Sequence, residues 1–222
     1  MKLLQGQKWL MIGDSVTDCG RVRPIGEPIG GLGTGYPSIV SSILSAWHPE
    51  LRIRVVNVGI SGNTSRDLAK RWQTDVIDQY PDWLSILIGV NDIWRQFDCP
   101  LQPEWGVQIG EYESILDKLC TDTKPLLKGG LILMTPFFVE PNHSDLFRAK
   151  IDAYGEVIKR LSKKHDAILA DSQLALDKSL AQSNGLYSSF FAGDRVHPNL
   201  NGHMVVARCL LDAVGLDWTK RP

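Results

Sequence analysis

Short runs of Ile, Leu, Val and Trp recur along the chain at residues 9–12, 51–58, 83–88, 131–134 and 167–170, each bounded by turn-forming residues. Runs this dense in apolar side chains predict strands covered on both faces, as in a parallel sheet. Between them the period changes. Phe147, Ile151, Tyr154, Ile158 and Leu161 fall at steps of three and four and so line one face of a helix. Ile109, Tyr112, Leu116 and Leu119 repeat that spacing, as do Leu68, Trp72 and Val76, and Met204, Ala207 and Leu211. Aromatic residues at this spacing belong to a core, which assigns Trp72 and Tyr154 there. Strands alternating with helices predict an α/β fold, a three-layer α/β/α sandwich with a central five-stranded parallel sheet in the flavodoxin-like order 2-1-3-4-5.

Residues 20–37 break the alternation. Gly20, Gly26, Gly30, Gly31, Gly33 and Gly35, with Pro24, Pro28 and Pro37, predict a long irregular loop of the kind that shapes a site mouth or an interface. The spacing of Gly31, Gly33 and Gly35 fails the G-x-G-x-x-G pattern, because Tyr36 stands where the third glycine is required, so dinucleotide binding is not supported. No repeat, linker or low-complexity tract divides the chain, and residues 1–222 are expected to form one domain.

Charge narrows the partners. With 24 basic and 25 acidic residues the formal net charge is -1, so no footprint for nucleic acid or an anionic membrane is visible. No apolar run approaches the roughly 20 residues of a membrane span. Residues 1–9 are interrupted by Gln5-Gly6-Gln7 where a signal peptide is continuously apolar, and a cytoplasmic location is expected. Cys19, Cys99, Cys120 and Cys209 are scattered, without a C-x-x-C pair or metal-ligand spacing, and read as small hydrophobes or spare thiols. Neither a metal nor an organic cofactor is expected. A homo-oligomer is, with the loop at 20–37 as a candidate interface.

Candidate chemistry gathers where the strands end. Ser15 follows the first run within Gly13-Asp14-Ser15, Ser61-Gly62-Asn63 follows the second, and Asn91 follows the third within Ile88-Gly89-Val90-Asn91-Asp92. In an open α/β sheet such loops meet at the carboxyl edge, near the point where strand order reverses. A serine hydroxyl is a weak nucleophile and needs a base, an orienting acid and donors for an oxyanion. Asp194-Arg195-Val196-His197 supplies the first two on one loop, His197 as base and Asp194 to hold its tautomer. The backbone N–H groups of Ser15 and Gly62 and the amide of Asn91 are candidates for the donors. Asp14 and Asp92 read as capping residues, His203 as structural, and His48, His143 and His165 as exposed. Trp94 and Arg95 are candidates for lining the acyl or sugar subsite.

Taken together, Gly13-Asp14-Ser15, Gly62, Gly89-x-Asn91-Asp92 and Asp194-x-x-His197 resemble the four blocks of the SGNH (GDSL-type) hydrolases, over nearly the whole chain. The resemblance implies that Ser15 is the nucleophile, His197 the general base and then acid, and Asp194 its partner, with Gly62 and Asn91 completing the oxyanion hole. More narrowly, Thr17-Asp18-Cys19-Gly20-Arg21, Gly59-Ile60-Ser61-Gly62-Asn63-Thr64 and Asn91-Asp92-Ile93-Trp94-Arg95 resemble the intracellular bacterial acetylxylan esterases of this family. That implies hydrolysis of short-chain acetyl esters, on xylo-oligosaccharides or other acetylated sugars, through an acyl-serine intermediate. Val16 departs from the leucine of the family name, a position where another aliphatic residue is tolerated. One alternative is a lipolytic or thioester-cleaving enzyme of the same fold, which would need a long apolar channel to which Phe137-Phe138 and Phe190-Phe191 could contribute. Another is a catalytically silent sugar-binding protein, and the retention of all five catalytic positions argues against it. A phosphatase of the haloacid dehalogenase type is excluded, since Asp14-x-Val16 lacks the second aspartate of D-x-D.

Overall fold

Alternate residues of the strands feed two cores, one on each face of a single parallel sheet. The structure is a computed structural model that describes residues 1–27, 31–183 and 187–219. The strands are β1 (Lys8–Gly13), β2 (Arg54–Asn57), β3 (Trp83–Leu87), β4 (Gly130–Met134) and β5 (Ile168–Ala170), in the order β2-β1-β3-β4-β5. The helices among them are α1 (Ser15–Asp18), α2 (Tyr36–Trp47), α3 (Ser65–Asp75), α4 (Val90–Asp98), α5 (Ile109–Thr123), α6 (Leu146–Lys164), α7 (Ser172–Gln182) and α8 (Leu200–Ala213). Trp9, Met11, Trp83, Leu87 and Met134 turn toward Val40 and Leu44 of α2 and Val206 and Leu210 of α8. Leu10, Ile12, Leu84, Ile86 and Leu133 turn the other way, toward Leu68 of α3, Tyr112 of α5 and Ile158 of α6. The period of two along each strand is what sends neighbours to opposite cores. Among the described residues no helix is long and apolar enough to cross a membrane.

The sheet order is the expected one, and Trp72 and Tyr154 are buried as expected. Several expectations need correcting. The loop assigned to 20–37 ends at Gly35, because Pro37 lies in the first turn of α2, a position that needs no N–H donor. Pro28 and Gly30 of that loop lie outside the described residues. The second strand begins at Arg54 rather than 51, since Pro49–Leu51 forms a 3-10 turn closed by Arg52 at φ +48°. Ile109 and Met204 stay 39% and 45% exposed, so the apolar faces of α5 and α8 are narrower than their spacing implies. His48 is buried and His165 is largely covered, its Nε2 2.7 Å from Asp117; of the three histidines expected at the surface only His143 is there.

At the carboxyl edge Asp14, Asp18 and Asp92 are buried, and two of them cap helices. Asp14 caps α1, its Oδ1 accepting the Val16 N–H at 3.0 Å, as its capping role requires. Asp92 lies in the first turn of α4, whose N-cap is Gly89, and accepts instead from the N–H of Ser65 at the start of α3 and from the Ser65 hydroxyl. Its capping acts on a neighbouring helix, which no local pattern announces. Burial raises the Asp14 carboxyl to about 7, against the Val16 N–H that favours its charged form and with added repulsion from Asp92. Burial likewise raises Asp92 to about 6, against its Ser65 bonds.

Two outcomes follow from this packing. Leu84, fully buried in the second core, should lose about 2–5 kcal/mol of stability on truncation to alanine, read by urea unfolding. For Asp14 the raised native value means that the folded protein keeps a proton which the unfolded chain releases. Its contribution to stability therefore falls as pH rises from about 4, the ordinary aspartate value, to about 7, and is level above that. Asp14→Asn keeps the acceptor for Val16 and removes the titration, so its stability relative to wild type should climb across that window. Urea midpoints at pH about 4.5, 6 and 8 measure the climb, and a difference constant with pH would mean that Asp14 is ionised throughout.

Candidate active site

Ser15 stands at the exit of β1, the first residue of α1, with its hydroxyl at the half-buried surface. Two residues earlier only glycine fits, since a Cβ on Gly13 would overlap the Leu87 carbonyl oxygen and Thr17 Oγ1. The turn therefore lies flat against the end of β3. Its far end is held by Asp18, whose carboxylate accepts the N–H and the hydroxyl of Ser61, both at 2.9 Å. Asn57, the last residue of β2 and fully buried, donates to the carbonyls of Thr17 at 2.6 Å and Leu32 at 2.9 Å and accepts the Gly59 N–H at 2.9 Å. Both residues were missed as site residues. The available signal was a buried-strand run ending in an amide, where an apolar residue is the norm.

Gly62 follows on this loop at φ +82°, with nothing within 4 Å of where a Cβ would stand. Its backbone is thus open on the side where a substrate would approach. Asn91, 4% exposed at the start of α4, donates one amide N–H to the carbonyl of Asn63 at 3.0 Å, which ties the loop after β3 to the loop after β2. The amide has a second N–H to offer.

The Asp194-to-His197 loop arrives from the far end of the chain. Arg195 adopts φ +67°, its carbonyl accepts the Val139 N–H at 2.8 Å, and its guanidinium meets Glu140 at 2.6 Å, so the loop is docked on the segment leaving β4. His197 Nδ1 is 2.6 Å from Asp194 Oδ2, and its Nε2 is 2.9 Å from Ser15 Oγ. With Nδ1–H donating to the carboxylate, Nε2 presents a lone pair to the serine hydroxyl. Asp194 Oδ1 also accepts the N–H groups of Val196 and His197. Partial burial would raise the Asp194 carboxyl, but these three donors outweigh it and hold the group below the usual aspartate value. The carboxylate is therefore charged wherever the histidine needs orienting.

The structure brings Trp94 to this group, its ring centroid 6.0 Å from that of His197 and 6.2 Å from Phe147. Arg95, the adjacent candidate, turns away to an ion pair with Asp98. His203 is structural, as expected: Nδ1 accepts the Tyr36 N–H at 3.2 Å, and Nε2 lies 3.3 Å from Cys19 Sγ. Burial, with repulsion from His197, lowers it to about 4, so it is neutral near pH 7.

Ser15, Gly62, Asn91, Asp194 and His197 are thus held on one edge of the sheet, and known proteins share the arrangement of the chain around them. The model of the GDSL-like Lipase/Acylhydrolase family matches residues 11–205. An acetylxylan esterase of Geobacillus stearothermophilus is 51% identical over 221 residues, 99% of each chain. The crystal structure of Axe2, an acetylxylan esterase from the same organism, matches with a TM-score of 0.94 over 98% of each chain. Variants of Axe2 described as catalytic mutants, changed at a serine, a histidine and an aspartate, match as closely. LAE5, an alpha/beta hydrolase enzyme from the metagenome of Lake Arreo, Spain, is 45% identical over 97% of this chain and 98% of that one, with a TM-score of 0.93. The chain belongs to the GDSL-like lipase/acylhydrolase family of carboxylic ester hydrolases.

Proposed function

We propose that the protein removes acetyl groups from acetylated xylo-oligosaccharides through an acyl-serine intermediate, with Ser15, His197 and Asp194 as its catalytic residues. The observation that carries the reading is the continuous relay from Ser15 Oγ through His197 to Asp194. In this reading His197 Nε2 takes the serine proton as Oγ adds to the acetyl carbonyl, and the N–H groups of Ser15 and Gly62 and the Asn91 amide receive the oxyanion. His197 then returns the proton to the departing sugar hydroxyl. Water repeats the sequence against the acetyl-serine and releases acetate. The same three residue types are those changed in the Axe2 catalytic mutants.

Acetyl preference is supported by what lies behind the nucleophile. The void lined by Asp14, Val16, Leu87, Ile88, Val90, Pro136 and Phe137 has a volume of about 10 Å³, no more than one water occupies. Phe137, Phe138 and Phe191 are packed into the cores rather than around a channel, and Phe190 lies at the surface, 44% exposed. A long acyl chain therefore finds no tunnel there, which disfavours the lipolytic alternative. On the alcohol side the relay is open, His197 and Asp194 being 48% and 47% exposed, and Trp94 offers an aromatic wall of the kind that a sugar ring packs on. Arg95, held by Asp98, is assigned no substrate contact. A cytoplasmic setting is supported by four cysteines that remain free thiols. Assembly as a homo-oligomer through the loop after α1 is supported by Val22 and Ile25, 58% and 38% exposed.

Ser15→Ala should lower acetate release from acetylated xylo-oligosaccharides by roughly 10⁴-fold or more without altering the melting temperature by more than a few degrees. A folded variant with near wild-type turnover would remove Ser15 from the mechanism. Asn91→Ala should reduce kcat by roughly 10²- to 10³-fold with little change in KM, because its donor acts most strongly on the transition state. Across p-nitrophenyl esters, kcat/KM should fall at least about tenfold from acetate to octanoate. Equal or better rates on the longer ester would favour the lipolytic alternative.

A further inference from the structure

Beneath the three loops that meet at Ser15 lies the guanidinium of Arg71. Arg71 projects from the middle of α3 and is only 13% exposed. Its Nη2 donates to the Gly13 carbonyl at 3.1 Å, immediately before Asp14 and Ser15. Nη1 donates to the Val58 carbonyl at 2.6 Å, on the segment leaving β2, and to Asp75 Oδ2 at 2.7 Å. Nε donates to Asn63 Oδ1 at 2.7 Å, and the carbonyl of that same Asn63 accepts the amide of Asn91. A single rigid fork thus touches the nucleophile loop, the Gly62 loop and, through one asparagine, the Asn91 loop. Two of its acceptors are carbonyls where the strands give out: that of Gly13 takes the guanidinium as a second donor beside the Ile60 N–H, and that of Val58 lies just past the end of β2. An ammonium could not hold these acceptors at once, since their directions match the planar donors of arginine.

We propose that Arg71 is the positioning residue of the oxyanion hole: by bonding Gly13, Val58 and Asn63 together it sets the Gly62 N–H and the Asn91 amide at their distances from the Ser15 hydroxyl. The inference rests on the reading of Ser15, Gly62 and Asn91 given above. Arg71 touches no reacting atom. What it supplies is geometry, and donors held for an oxyanion lose their advantage when displaced by about an ångström. A purely structural role would lower stability and leave the chemistry of the folded fraction as it was.

The test compares wild type, Arg71→Lys, Asn91→Ala and the double variant, with melting temperature, kcat, KM and the affinity of a small alkyl boronic acid that forms a tetrahedral adduct on the serine. Arg71→Lys should lower kcat by about 10- to 100-fold with KM within about twofold, and weaken the boronate by a similar factor. In the Asn91→Ala background the same change should cost well under half as much on a logarithmic scale, because both act on one donor set. Should Arg71→Lys fail to fold, Asn63→Ala removes the half-buried acceptor of Nε and leaves the carbonyl that holds Asn91. It should give a kcat loss of about 5- to 20-fold at unchanged KM. Wild-type kcat in either folded variant, or a fully additive double variant, overturns the proposal. If wild type forms no boronate adduct, or Ser15→Ala retains turnover, the catalytic reading itself has failed, an outcome distinct from any result at Arg71.

Discussion

A buried peptide group needs a hydrogen-bond partner, and at the carboxyl edge of this sheet the strands stop while the chain stays buried. The ladder between β1 and β2 runs on a little, with Val58 and Ile60 still donating to the carbonyls of Met11 and Gly13. Beyond that point side chains take over. Asn57 serves the carbonyls of Thr17 and Leu32, Asp18 serves Ser61, Asp92 serves Ser65, and Asn91 serves Asn63. Where the group is fully buried, as at Thr17 and Ser65, losing the bond would cost about 1–3 kcal/mol, and each bond also joins two segments of the edge. The requirement that stabilises the edge is therefore the same one that makes its loops rigid enough for chemistry.

Burial sorts like residues into unlike roles. Asp14 and Asp194 both belong to the site, yet Asp14 sits in the interior with its carboxyl raised to about 7, while Asp194 at the surface is held charged by three donors. Only the second can orient an imidazole by charge. The histidines divide in the same way. His203, buried against Tyr36 and Cys19, is lowered to about 4 and helps fix the segment entering α2. His197 lies half exposed, next to Ser15 and Trp94.

The two sides of the relay differ as the two halves of the proposed ester do. Beside Asp14 and Val16 the space closes to a void of about 10 Å³, and of the phenylalanines that could have lined a channel Phe137, Phe138 and Phe191 are packed in the cores while Phe190 is exposed. In front, the imidazole and carboxylate face outward beside an aromatic ring. A small acyl group on a bulky, polar alcohol suits that asymmetry better than a long chain on a small one.

The apolar runs determined the strands and their covered faces, because fully buried strands and amphipathic helices leave different periods in the chain. The spacing of Asp194 and His197 determined that this carboxylate and imidazole share a loop, since three residues cannot carry them far apart. Helix α2 escaped notice: Ser, Ile and Val weaken its propensity, and its Pro37 reads as loop although it suits a first turn. The burial of His48, the reach of Asp92 to another helix and the parts played by Asn57, Asp18 and Arg71 were likewise not legible. Their partners lie on other segments, as Ser15 and His197 do across 182 positions. Residue types and periods follow from local interactions and can be read along the chain. Which acceptor a buried polar side chain reaches depends on how strands are ordered and where they end, and only the packed sheet decides that.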